Sequence, residues 1–259
     1  QKTSCQPNAN ASNPSKGNQT MINGVVKATS GSGTLNNPPS SNQVAGSDFT
    51  LIELNSAIPS TYNAYFAGWD RSNSLVSNGV GIHHPNGSAK KISTFNSNLT
   101  STSYNGGAFN AHWEVYWDAT SNGHGVTEGG SSGSPIFNQD KRIVGQLSGG
   151  GSICSNPDWY SDEYGKFSTS WTSNGSSAGT QLEPWLDPLS LNINTIDGTY
   201  PPGGGSSLSC IIGLYSDSVD QGTPMDFFGG SNSGTASYSW DFDINGLGGV
   251  SPTTSTDQD

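Results

Sequence analysis

The sequence predicts an all-β protein on three observations. Charged residues make up only 11% of the 259, far below the roughly 25% usual in globular chains. Its 35 glycines and 14 prolines, with abundant Ser, Asn and Thr, are turn formers. Its apolar residues come in short, regularly spaced runs bounded by those turn formers, the spacing of a barrel or a sandwich.

Residues 1–45 are polar, with Asn-Pro, Pro-Pro and Gly-Ser signals and one apolar run at 21–26, so loops and one or two short strands are expected there. Asp48-Phe49-Thr50-Leu51-Ile52-Glu53-Leu54 follows as a strand opened by an acidic residue. Residues 65–69 and 80–82 are further strands, each bounded by turn residues. In 112–117, Trp113, Val115 and Trp117 alternate with polar residues, which gives the strand one buried face and leaves His112 on the exposed one. Residues 166–171 read as one more strand. Leu182, Trp185 and Leu186 fall at i, i+3 and i+4, predicting a short helix near 180–187 with Thr180 as N-cap and Pro184 in its first turn. Residues 200–207, Tyr-Pro-Pro-Gly-Gly-Gly-Ser-Ser, form a linker by composition. Beyond it, 225–228 and 237–243 are strand candidates of a second module.

A net charge of −11 disfavours a nucleic-acid partner, which needs clustered Lys and Arg that are lacking here. No run approaches the roughly 18 apolar residues of a membrane span. At Gln1 there is neither an initiator Met nor a basic and apolar leader, so the start reads as internal or processed. Cys5, Cys154 and Cys210 are an odd set, and in a secreted setting a leftover cysteine implies a partner outside the chain or a free thiol.

The densest chemical signal is Gly129-Gly130-Ser131-Ser132-Gly133-Ser134-Pro135, followed by Ile143-Val144-Gly145-Gln146-Leu147 and Gly149-Gly150-Gly151. A serine among glycines lets the backbone approach a carbonyl and aim N–H groups at a developing oxyanion, which makes Ser132 a candidate nucleophile. The competing reading is an ordinary Gly/Ser loop. A serine nucleophile requires a His and an orienting Asp, and in the His, Asp, Ser order the Asp precedes the Ser by roughly 90 residues. Asp48 precedes Ser132 by 84.

Taken together, Ser47-Asp48-Phe49-Thr50-Leu51, Ala67-Gly68-Trp69-Asp70-Arg71, Ile82-His83-His84-Pro85, Gly125-Val126-Thr127-Glu128, residues 130–135, Gly145-Gln146-Leu147, Ser161-Asp162-Glu163-Tyr164-Gly165 and Trp185-Leu186-Asp187-Pro188 resemble the bacterial lysyl endopeptidases, chymotrypsin-like serine proteases. The resemblance runs over about 1–199, in order and at matching spacings. It implies a chymotrypsin-like double β-barrel with its first barrel incomplete and a short C-terminal helix. It also implies Ser132 as nucleophile, Asp48 as triad aspartate, and Gly130 and Ser132 as oxyanion donors. Asp162 then matches the carboxylate of a lysine-binding S1 pocket, where a desolvated carboxylate meets an ammonium; taken alone, it reads instead as a solvated loop carboxylate beside Glu163. Ser148, Gly149 and Tyr104 fall at the substrate-binding edge, Ser148 and Tyr104 replacing a His and a Trp that the family stacks beside the site.

The resemblance lacks one part, since His83, His84, His112 and His124 all follow Asp48, whereas the triad order puts the base before it. His83 and His84 match a non-catalytic pair, and without a third ligand at useful spacing a structural or surface role is favoured over a metal role. Cys5 and Cys154 match family cysteines whose partners lie upstream. Residues 208–259, with Gly222-Thr223-Pro224 and 237–243, resemble the first half of a polycystic-kidney-disease (PKD) type sandwich. Asp241-Phe242-Asp243-Ile244-Asn245-Gly246 opens like a calcium loop, but Pro252 stands where the bidentate Glu is required, so neither a metal nor another cofactor is expected. The expectation is a fragment of a secreted bacterial serine endopeptidase: protease domain 1–199, linker 200–207 and partial module 208–259. It would cleave after lysine and be inactive as it stands, for want of the triad histidine. The alternative is a non-catalytic binding or adhesion protein on the same scaffold, the sandwich module holding a protein or glycan.

Overall fold

The structure, a computed structural model, describes Cys5 and residues 19–30, 45–121 and 123–200. These lie in the first of two units, Gln1–Gly205; the linker beyond Tyr200, the module at 208–259 and Cys210 are outside the described residues.

The described chain is mostly β. Its strands are β1 Gly24–Thr29, β2 Thr50–Leu54, β3 Trp69–Asp70, β4 Gly79–His83, β5 Lys91–Phe95, β6 Thr100–Thr102, β7 His112–Val115, β8 Ala119–Thr120, β9 Gly123–His124, β10 Pro135–Phe137, β11 Ile143–Gly150, β12 Asp162–Lys166 and β13 Thr195–Ile196. Two short helices follow β12, α1 Phe167–Thr172 and α2 Glu183–Leu186. β1 and β2 pair antiparallel as a separate ribbon. The main sheet runs β5-β4-β10-β11-β12-β7-β6, with β3 parallel to β11 and β13 beside β3. β11 is its longest strand and carries a register shift between Leu147 and Gly149, so Ser148 has no partner opposite it. A bulge of this kind re-aims a side chain and bends the strand locally.

The alternation read in 112–117 buries Trp113, Val115 and Trp117 as expected, against Phe95, Ile136 and Tyr164. A second apolar cluster gathers Ala28, Phe49, Trp69, Phe167, Trp171 and Leu182.

The structure corrects five local expectations. The strand at 166–171 ends at Lys166, and α1 takes over; Phe167 and Trp171, which a period of two puts on one strand face, also fall at i and i+4, and stacking on Trp69 selects the helix. Residues 65–69 supply only a bridge from Phe66 to Thr199 and the short β3. The helix near 180–187 shrinks to α2, capped at Leu182 without a side-chain bond, while the Thr180 hydroxyl turns back to Ser177 O. His112 is fully buried, because the turn at Tyr104 and Gly107 folds over the start of β7 and covers its ring. Finally, Cys5 and Cys154 are bonded to each other, with Cα atoms 5.3 Å apart, instead of to cysteines upstream. That separation lies within the usual span of a disulfide.

Candidate active site

The glycine- and serine-rich turn at 129–135 leads into β10. Gly130 and Gly133 adopt left-handed φ values of 90° and 78°, which is why glycine occupies them. Ser132, the candidate nucleophile, is exposed between them. Asn86 N–H donates to Gly129 O at 2.7 Å and Ser134 N–H to Ser131 O at 3.0 Å. A trans peptide unit points its C=O and the following N–H in opposite directions. Fixing those two carbonyls therefore turns the N–H groups of Gly130 and Ser132 the other way, and among the described residues neither N–H has an acceptor. Two free N–H groups flanking a serine are an anion-binding arrangement.

Gly133 N–H reaches Leu147 O at 2.8 Å, which anchors the turn to β11 one residue before the bulged Ser148. Asp48 approaches the same part of β11 from the other side. Gln146 Nε2 donates to Ser47 O at 2.7 Å, and Ser47 is further held by Asn174 and by Ser170 Oγ at 2.8 Å. That clamp keeps Asp48 at φ 57°, a left-handed conformation uncommon for a residue other than glycine. Burial pushes the Asp48 carboxyl above its ordinary value, and the Ser148 hydroxyl, hydrogen-bonded to it, offsets part of the rise. His112 Nε2 lies 3.1 Å from the same hydroxyl. Tyr104 packs on His112 with ring centroids 5.9 Å apart and places its hydroxyl against Gly149. Burial raises the Tyr104 pKa, and the charges of Glu163, Asp162 and Asp48 raise it further. Asp48, Ser148, Gly149 and Tyr104 thus share one edge of β11.

Asp162 opens β12 opposite Gly150 and is 0% exposed. Its Oδ2 accepts from Trp117 Nε1 (2.6 Å), Thr127 Oγ1 (2.8 Å) and Ser152 Oγ (2.6 Å), and its Oδ1 from Ser152 N–H (3.2 Å). Among the described residues no cation pairs with it. Gly150 packs directly on Oδ1, where a Cβ would collide with the carboxylate. Hence Oδ1 keeps acceptor capacity beside backbone that carries no side chain.

His112 reaches Asp48 only through Ser148, and the other three histidines sit elsewhere. His84 Nδ1 meets Ser88 O at 3.0 Å, and His124 bridges Gly125 O and Asp158 Oδ1, each at 3.0 Å. His83 is buried against Ser131 and Ser93. Among the described residues no histidine nitrogen hydrogen-bonds Asp48 or Ser132, and no group of three or more acidic, His or Cys side chains is arranged to hold a metal. Sequence reading missed the donors around Asp162, the Ser47 clamp and the partners of His83. Thr127 stands in a quoted motif and Trp117 in a recognised strand, but Ser152 and Asn174 carry no local signal.

A relative from Pseudomonas aeruginosa named lysyl endopeptidase is 34% identical over 133 residues, which cover 47% of this chain and 26% of that protein. The chain thus spans about a quarter of the relative's length. The family profile described as lysyl endopeptidase, C-terminal domain, matches residues 1–165, a stretch that includes Asp48, the turn at 129–135 and Asp162. By that match the chain belongs to the lysyl endopeptidase C-terminal domain family.

Proposed function

We propose that these residues are the nucleophile-bearing part of a serine endopeptidase that hydrolyses peptide bonds on the carboxyl side of lysine. The observation that carries this is Asp162, a fully buried carboxylate held by uncharged donors with no cation beside it among the described residues. A buried charge is costly unless paired, and a lysine ammonium entering past Gly150 supplies the missing partner. In this reading Ser132 Oγ attacks the carbonyl after lysine, and its proton passes to an imidazole oriented by Asp48. The oxyanion sits between the N–H groups of Gly130 and Ser132. The imidazolium then protonates the leaving amine as the C–N bond breaks, and water hydrolyses the acyl-enzyme by the reverse exchange. The imidazole is supplied by a residue other than the four histidines here, none of which hydrogen-bonds Asp48 or Ser132 among the described residues.

The same proposal assigns the β1–β2 ribbon to a first chymotrypsin-like barrel and the main sheet to the second. It extends to a secreted bacterial protein whose PKD-like module at 208–259 engages a protein or glycan. In the full-length protein, Asp162→Asn should lower kcat/KM for a lysyl ester by about 10²-fold or more while sparing apolar P1 esters. Equal losses on both substrates would make Asp162 structural. The 259-residue chain alone should neither turn over the ester nor react with a serine-directed phosphonate, because losing one triad member costs roughly 10⁴ to 10⁶ in kcat. If the full-length protein is equally inert and Ser132→Ala changes nothing, the non-catalytic binding protein becomes the correct reading.

A further inference from the structure

His83 ends β4 at 2% exposure and uses both ring nitrogens. Nδ1 lies 2.8 Å from Ser131 Oγ, and Nε2 3.1 Å from Ser93 Oγ. The protons follow from the partners. Ser93 gives its only hydroxyl hydrogen to Val126 O, at 3.1 Å, because a carbonyl can only accept. Ser93 Oγ must then receive a hydrogen from Nε2, which leaves Nδ1 as a bare acceptor for the Ser131 hydroxyl. One of the two lone pairs of Ser131 Oγ takes Glu128 N–H at 3.3 Å, while Ser131 N–H returns to Glu128 O at 2.9 Å. Every donor from Glu128 to Val126 is satisfied by one tautomer, the neutral ring carrying its hydrogen on Nε2.

The chain of bonds ends at the residue before the nucleophile. Three residues after His83, Asn86 N–H holds Gly129 O, so residues 83–86 grip the nucleophile turn on both sides of Gly130. One grip sets the peptide that presents Gly130 N–H, and the other holds Ser131, whose carbonyl belongs to the peptide that presents Ser132 N–H. Ser131, Ser93 and His83 are all shut off from solvent, so water cannot substitute for a lost bond without opening the core.

We infer that His83 is a positioning residue for the oxyanion site, its neutral imidazole locking Ser131 so that the N–H groups of Gly130 and Ser132 stay aimed at one point. This rests on the protease reading of Ser132. The role differs from that of a general base, because His83 reaches the serine beside the nucleophile from the buried side and never contacts substrate.

The test uses the full-length protein and a lysyl ester, with melting curves to follow folding. Deleting one oxyanion donor outright typically costs roughly 10² to 10³ in kcat, so misaligning the pair through His83→Leu should cost about 10- to 100-fold in kcat with KM changed less than about threefold. His83→Asn keeps an acceptor near Ser131 and should recover part of the loss. Ser131→Ala breaks the same link from the other end and leaves the imidazole in place, so it should match His83→Leu. The double variant should be no worse than either single one, as expected when two residues act through one bond. A reactive wild type with unaffected His83→Leu and Ser131→Ala, or losses that multiply in the double variant, would overturn the inference alone. An inert wild-type protein would instead overturn the protease reading, and this inference with it.

Discussion

His83 and His112 are both neutral near pH 7. Burial brings each imidazole down to about 4 from an ordinary value of 6.5, assisted by the charge of His84 at His83 and of Lys166 at His112. Between those values the unfolded chain binds more protons than the folded one, so stability held above pH 6.5 is lost as pH falls toward 4. Asp48 and Glu163, whose carboxyls burial holds above their ordinary range, act in the opposite sense. The histidine contribution is therefore isolated by comparing variants. His112→Gln keeps a donor toward Ser148 without the titrating ring, and should lose about 1–3 kcal/mol less than wild type between pH 7 and pH 4. Urea unfolding at both pH values checks this; parallel losses would show that His112 is not kept neutral by the fold. Sequence reading singled out Ser132, Asp48 and Asp162 as candidates because their motifs are local. It could not locate the work of His83, whose partner Ser131 lies 48 residues away along the chain, nor the burial of His112, which is imposed by a turn from outside its strand.

At the level of elements, the change from β12 to α1 joins packing to the site. Trp171 lies against Trp69 with ring centroids 4.9 Å apart, the Arg71 guanidinium lies over its ring at 4.8 Å, and Ser170 on the same helix bonds Ser47 beside Asp48. Trp171→Ala should cost about 3–5 kcal/mol, as expected for a large aromatic removed from a core. It should also loosen the backbone at Asp48. Denaturant unfolding measures the first effect, and amide exchange at Ser47 and Asp48 the second; unchanged protection there would uncouple the helix from the site. Both periods fitted 166–171 equally well, and only the aromatic partner from β3 decided between them. β2, β4 and β7 were legible because their apolar residues follow a single period next to clear turn residues. The bulge at Ser148 was not, since it depends on how β11 registers with β12.

For the whole molecule, the all-β class followed from composition and strand spacing, whereas the bond between Cys5 and Cys154 did not, because connectivity is not written in cysteine positions. That bond ties a stretch near the start of the chain to the loop beside Asp162, across 149 residues. Closing so long a loop restricts the unfolded chain, and Cys154→Ser should lower stability by about 2–5 kcal/mol in urea. An unchanged midpoint would mean that the pairing contributes nothing to the fold. Asp48, Gly130 and Ser132 all lie between the two cysteines, so the polypeptide that carries them is a covalent ring. A single backbone cut inside a ring opens it without dividing it. If the proposed cleavage after lysine holds, self-digestion at Lys90, Lys91 or Lys141 would thus leave one species on a non-reducing gel and two on a reducing one, and a nicked molecule would keep Ser132 and Asp48 on the same covalent body.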